Sequence, residues 1–214
     1  MALELVTAPA TEPITVAEAK AFLHVSSSAE DSLVTALIVA ARRYVENYTK
    51  RALITQTWRL WLDQFPIEPR TGGEMWDGVR EEPISFSYQA KRFIEIPKAP
   101  VSAVSSISTF DDDDTETTYA SSNYIVDTVS QLPRVVLKTG STWPVDLRPA
   151  NAIKITFTAG YGAASAVPDD IKQAMYLLIG HWFENRQAVL TGTISAEIEH
   201  SVQALLQPYR IMRL

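Results

Sequence analysis

The sequence predicts an α+β protein: a helical body into which an antiparallel β-sheet or small barrel is inserted. Three observations carry this. Apolar residues recur at three-and-four spacing from Ser27 to Arg51, the period of a helix with a buried face. The same period returns from Pro168 to about Arg186. Between them lie short segments rich in Val, Ile, Thr and aromatics, several alternating with period two and separated by turn residues. The expected division is a body of residues 1–53 and 160–214, ending in a C-terminal tail, and a β-rich insertion of residues 54–159.

Residues 1–14 carry Pro9 and Pro13 among small residues and read as an extended arm. Thr15 and Glu18 have the spacing of a capping box and open a short helix with Ala19, Phe22 and Leu23 facing inward. Val25 to Ser28 then turns the chain into the long helix. Its start is marked twice, by Ser27 with Glu30 and by Ser28 with Asp31. Two apolar rows run along it: Leu33, Leu37, Ala40, Tyr44, and Val34, Ile38, Ala41, Val45, Tyr48. Only the line through Thr35, Arg42, Glu46 and Thr49 is left for water. So wide an apolar arc needs partners on two sides.

From Leu53 the period changes. Trp58, Leu60 and Leu62 alternate with Thr57, Arg59, Trp61 and Asp63, predicting a strand with one buried face. Further strands are expected at Ile84 to Tyr88, Phe93 to Ile96, Val104 to Phe110, Thr117 to Tyr119, Tyr124 to Asp127, Arg134 to Lys138 and Ala152 to Thr158. Pro66 to Glu82, with paired glycines and charges around Met75 and Trp76, reads as a long loop. The Ala159-Gly160-Tyr161-Gly162 string makes a tight turn from strand to helix. Pro168, Asp169 and Asp170 suit a helix start, and Ile171, Met175, Leu178 and Trp182 line one face of that helix, widened by Ala174, Leu177 and Ile179. It is expected to pack on the long helix. After a loop at Gly192, the residues Ile194, Ile198, Val202 and Leu205 mark a last helix, stopped by Pro208.

Composition narrows the function. The 214 residues carry a net charge of -6, which argues against a surface built to grip nucleic acid through its phosphates. There are no cysteines, so disulfides, thiolate metal sites and a cysteine nucleophile are excluded. The start, MALELVTAPATEPIT, lacks the basic and apolar regions of a signal peptide. No stretch approaches the roughly 20 apolar residues of a membrane span. The expectation is a soluble chain that is not exported by the classical route.

Chemistry is sparse. Asp111 to Asp114 gathers four carboxylates, but a calcium loop counted from Asp111 finds Glu116 where glycine belongs and Ser122 where glutamate belongs. A solvated hairpin turn is favoured there. His181 and Glu184 have the spacing of one half of a carboxylate-bridged metal site, whose other half is missing; a helix-end hydrogen bond or a subunit contact is the preferred reading. No serine sits in a nucleophile elbow, and AGYGAAS lacks the lysine of a phosphate loop and the third glycine of a dinucleotide turn. No catalytic, cofactor or metal residue is assigned.

Several strings stand together in an order that is not generic: ITVAEAKAFL, YTKRALITQTW, IPKAPVSAVSSI, YIVD, GSTWP, NAIKITFTAGYG, VPDDIKQA and HWFENR. Over about Ile14 to Arg186 the chain thereby resembles the head-tail connector, or adaptor, family of tailed bacteriophages, prophages and gene transfer agents. The resemblance implies a structural, non-enzymatic protein of the virion neck, assembled in the bacterial host cytoplasm without a cofactor. It implies a ring, usually of twelve copies, under the capsid portal, with DNA passing through the lumen unbound. Its partners would be the portal protein, further copies of itself and a tail-proximal stopper or tail-terminator protein. The docking tail would be Pro208, Tyr209, Arg210, Ile211, Met212, Arg213 and Leu214. Leu33, Leu37, Ile38, Tyr44, Val45, Ile171, Met175, Leu178 and Trp182 would form the core and the subunit packing. Two alternatives stand beside it: another tail-completion or stopper protein, and a metal-dependent hydrolase using Asp111 to Asp114 or His181 with Glu184. The 66–88 stretch is longer than is usual in the family.

Overall fold

The structure, a computed structural model, describes residues 1–65, 92–185 and 196–212. The expected loop at 66–82 with Met75 and Trp76, the strand at 84–88, the Gly192 loop with Ile194, the side chain of Ile198, and the tail residues Arg213 and Leu214 lie outside the described residues.

Among the described residues, four α-helices and eight strands follow the chain order β1 (Ala2–Thr7), α1 (Val16–Leu23), α2 (Asp31–Thr49), β2 (Gln56–Leu62), β3 (Phe93–Glu95), β4 (Val101–Phe110), β5 (Glu116–Thr118), β6 (Tyr124–Asp127), β7 (Arg134–Leu137), β8 (Ile153–Ala159), α3 (Asp169–Glu184) and α4 (Ala196–Leu206). This is an α+β fold, with the strands divided between a five-stranded sheet, β1-β2-β8-β4-β5, and a three-stranded sheet, β3-β7-β6. The arm expected at 1–14 is a strand over its first half, at the edge of the larger sheet. The chain divides into two compact units, one of residues 1–4, 58–96 and 103–157, the other of residues 5–57, 97–102 and 158–214.

In the helical unit, the Thr15 box forms as written: the Glu18 amide donates to Thr15 Oγ1 at 3.2 Å and the Thr15 amide to Glu18 Oε2 at 2.7 Å. Helix α1 ends where His24 turns left-handed. Ala19 is buried, but Phe22 is not inward as expected; it is 40% exposed and lies against Tyr176 with ring centres 5.2 Å apart. The start of α2 uses one of its two signals. Ser27 Oγ accepts from the Ala29 amide and opens a 3-10 turn over Ser28–Glu30, while Asp31 instead holds Lys20 of α1 at 2.6 Å.

The core of this unit is the buried stripe Val34, Ile38, Ala41 and Val45 of α2 against Ile171, Met175, Leu178 and Ile179 of α3, with Val202 and Leu206 of α4. Helix α3 packs on α2, α1 and α4. Leu178 is 6% exposed, so its replacement by alanine is expected to cost about 2–5 kcal/mol. Leu37 is only half-buried; the same change there should cost roughly half as much, in proportion to the area lost. Equal urea midpoints for the two variants would show that the stripe is misplaced.

In the β unit, β8 alternates cleanly, with Ile153, Ile155 and Phe157 fully buried. β6 pairs with β7 antiparallel from Tyr124↔Leu137 to Asp127↔Arg134, and β7 continues onto β3. The GSTWP string is anchored here. Trp143 stacks on Phe65 at 4.4 Å, and the Tyr119 hydroxyl donates to the Thr142 carbonyl at 2.8 Å.

The β6–β7 turn is closed by Asp127. Its carboxylate accepts from the Ser130 hydroxyl at 2.6 Å, the Ser130 and Val129 amides, and Arg134 Nε at 3.0 Å. The Ser130 hydrogen bonds first, and then Arg134, pull its pKa from 3.8 down to about 2. A depressed carboxylate stabilises the fold above its ordinary pKa and loses that contribution as pH falls from 3.8 toward about 2. Asp127→Asn should therefore be less stable than the parent at neutral pH, and the gap should close below the folded pKa. A gap that stays constant through an acid titration would contradict this.

Candidate assembly surfaces

The tail expected to dock on a partner is seated on its own helical unit as far as Ile211. After α4, Gln207–Tyr209 forms a 3-10 turn with Pro208 in its opening positions. The Tyr209 hydroxyl donates to Asp170 Oδ2 at 3.0 Å, and Arg51 Nε donates to the Tyr209 carbonyl at 2.6 Å. Burial first, and then the Asp170 carboxylate, raise the Tyr209 pKa, so its phenol keeps its proton at neutral pH. The Arg210 guanidinium lies over the Tyr48 ring, 5.2 Å from its centre. The Ile211 amide donates to the Thr49 carbonyl at 3.1 Å, beyond the end of the α2 hydrogen-bond ladder. Ile211 is 9% exposed whereas Met212 is 64% exposed.

Beside this seat runs an aromatic ridge. Tyr44 and Tyr48 are nearly parallel, 6.5 Å apart, and Trp182 meets Tyr44 edge-on at 6.2 Å. Tyr44 is 37% exposed, and Trp182 is half-buried. Aromatics left at a surface in this way suit a protein contact better than solvent.

Residues 12–212 match the model of the family described as "Head completion protein". The chain belongs to the head completion protein family. None of the curated proteins matches it. Three solved structures are similar over 100% of this chain and 97% of theirs: the neck of an empty GTA particle computed with C6 symmetry, at 26% identity and a TM-score of 0.76; the virion of a native gene transfer agent particle, at 25% and 0.75; and the neck of a native GTA particle computed with C12 symmetry, at 26% and 0.70.

Within this head completion protein, Ile38, Val45, Ile171, Met175 and Leu178 are buried in the subunit, Leu33, Leu37 and Trp182 are half-buried, and Tyr44 is exposed. Two kinds of residue assigned together from the sequence thus separate, the first set closing the core and the second lying at or near the surface.

Of the line expected to face water, Thr35 is exposed, but the other three residues are not. Arg42, Glu46 and Thr49 are 7%, 6% and 0% exposed. Arg42 bonds Glu12 at 2.7 Å and Glu46 at 2.9 Å. The other oxygen of Glu46 accepts from the Leu53 amide at 3.0 Å and from Gln56 Nε2 at 2.6 Å. Burial opposes the charge on Arg42, but the Glu12 hydrogen bond and the two carboxylates outweigh it and raise its pKa. Nearby, burial lowers the pKa of Lys98, which the charge of Glu46 partly resists. Mutual satisfaction lets these groups stay inside. The signal was available, an Arg-x-x-x-Glu pair on one helical row bordering the apolar stripe, but it is the same signal that a solvated ion pair gives.

The family strings meet at this hub. YTKRALITQTW supplies Leu53 and Gln56, IPKAPVSAVSSI supplies Lys98 and Ala99, and NAIKITFTAGYG supplies Gly160. The Ala52 amide donates to the Ala99 carbonyl and the Gly160 amide to the Pro100 carbonyl, both at 2.8 Å.

The two candidate metal sites have other work. Asp111 Oδ1 accepts from the Thr115 and Asp113 amides and closes the β4–β5 turn, and Asp114 holds Arg148 at 2.7 Å. His181 Nδ1 lies 3.1 Å from Asn185 Nδ2, at the end of α3, and Glu184 is exposed. Among the described residues, no three His, Asp or Glu side chains gather as ligands.

Proposed function

We propose that this head completion protein is a head-tail connector of the virion neck: a structural, non-catalytic subunit of a ring, of twelve copies, seated under the capsid portal and linking it to tail components. Residues 1–53 and 160–214 would be its ring-forming body and 54–159 its insertion. The observation that carries the reading is a likeness to gene transfer agent necks spanning the whole chain at 25–26% identity, together with the head completion match over residues 12–212. The twelvefold symmetry applied to one of those necks supports the copy number.

The physical features agree with it. A net charge of -6 lets DNA pass a lumen without being held. The Tyr44, Tyr48 and Trp182 ridge offers apolar surface to a neighbouring copy. Arg210 and Met212, exposed beside a seated Ile211, present the residue types that protein interfaces favour.

Removing residues 208–214 tests the role of the tail. The shortened chain is expected to fold with stability lowered by about 1–3 kcal/mol, the worth of burying one isoleucine and its hydrogen bonds, and to lose binding to its cognate portal in a pull-down. Portal binding retained by a folded, shortened chain would overturn the assignment.

A further inference from the structure

We propose that the exposed end of α2 and the tail beside it form one cationic surface with an apolar margin, built from Arg43, Asn47, Lys50, Arg210 and Met212, that takes an acidic protein segment carrying an apolar side chain next to its carboxylates. The inference deepens the tail assignment above and rests on the connector reading for the owner of that segment, the portal.

The surface begins with how α2 sorts its charges. Glu46 and Arg42 turn inward and satisfy each other, so the outward row is left without a carboxylate. Arg43, Asn47 and Lys50 are all exposed, and their spacing of four and three residues keeps them on one face. The tail joins the same end. The Ile211 amide bonds the Thr49 carbonyl at 3.1 Å, which brings Arg210 and Met212 beside the residues that flank Thr49. Arg210 is itself exposed, and stacking on Tyr48 fixes the plane of its guanidinium while leaving the N–H fork to meet a carboxylate. Among the described residues, none of Arg43, Lys50 and Arg210 makes an ion pair. The nearby carboxylate of Asp170 is bonded to Tyr209 instead.

In a chain of net charge -6 this end is a local reversal of sign, the complement of an acidic partner. Lys50 sharpens the point. It caps α2 with φ of 61°, a left-handed position that glycine occupies without strain. A lysine there keeps a cation at the surface at a conformational cost. DNA is the poorer occupant: the overall charge repels a polyanion at long range, and Met212, 64% exposed, finds no apolar contact on a phosphate backbone.

The test uses the full chain, followed by NMR while a short peptide alternating Glu with Leu is added, and again with a peptide carrying Lys in place of Glu. Shifts centred on Arg43, Asn47, Lys50, Arg210 and Met212 are expected with the first peptide and none with the second. No shifts there, the same shifts with both peptides, or the same shifts with a short DNA duplex would each overturn the proposal. Affinity for the cognate portal is measured in parallel. Lys50→Gly should leave the urea midpoint nearly unchanged, because glycine accepts the left-handed backbone, yet weaken portal binding; combined with Arg210→Gln the loss should reach about tenfold and shrink as salt is raised. Arg43→Lys, which keeps the charge, should bind as the parent does. A folded double variant that binds the portal as tightly as the parent would overturn the proposal and leave the connector reading standing. The expected peptide shifts in a chain without affinity for the portal would support the surface and count against the connector reading.

Discussion

Replacing Glu46 by alanine is expected to remove about 3–5 kcal/mol of stability, the usual result of breaking a buried charge pair from one side. Arg42 would stay inside with only Glu12 to balance it, and the Leu53 amide and Gln56 Nε2 would lose their common acceptor. The loss should appear as a lower urea midpoint at unchanged slope. Replacing both partners, Arg42→Met with Glu46→Leu, should recover only part of it: Arg42 is no longer left as a buried cation, but Glu12 loses the Arg42 contact, Lys98 loses the charge of Glu46, and the Leu53 amide and Gln56 Nε2 still lack their acceptor. A loss below about 1 kcal/mol for Glu46→Ala would mean that the hub is solvated and does not join α2 to the chain that follows it.

Gly160→Ala should be comparably damaging for an unrelated reason. Gly160 has φ of +138°, and a Cβ there would lie 2.4 Å from the Ile54 carbonyl oxygen, which is backbone and has no rotamer to yield. The unfavourable dihedral alone costs about 1–3 kcal/mol, and the clash adds to it, so a total of about 3 kcal/mol or more is expected. Gly162→Ala provides the comparison. Its φ is +118° but the nearest atom to a built Cβ is 3.9 Å away, so it bears the strain without the clash. Equal stabilities for the two variants would contradict the close approach at Gly160.

Elements with a local signature were legible in the sequence. The Thr15 box, the Pro168 start and the alternation of β8 each depend on residues a few positions apart, and each forms within a residue or two of its expected place. The tight AGYG turn was legible because glycine spacing and conformation are linked. What depended on distant partners was not. The polarity of Arg42 and Glu46 placed them in water, and only the arrival of Glu12, Leu53 and Gln56 from other segments makes burial affordable. Phe22 was counted as core because helical periodicity gives a face but not the depth of what covers it. The strand in the arm was missed because Ala2–Thr7 is an edge strand, exposed on both sides at its end, and lacks the alternation that marks a half-buried strand. The seating of the tail could not be read from its composition, since the same residues serve a self-contact and a partner contact equally well.

The most direct test of the connector assignment is the mass of the purified protein, alone and mixed with its cognate portal, by light scattering with negative-stain imaging of the complex. The account predicts a closed ring of this chain, coaxial with the portal at its narrow end, with a mass increment of twelve copies. A folded chain that shows no association with the portal would contradict it.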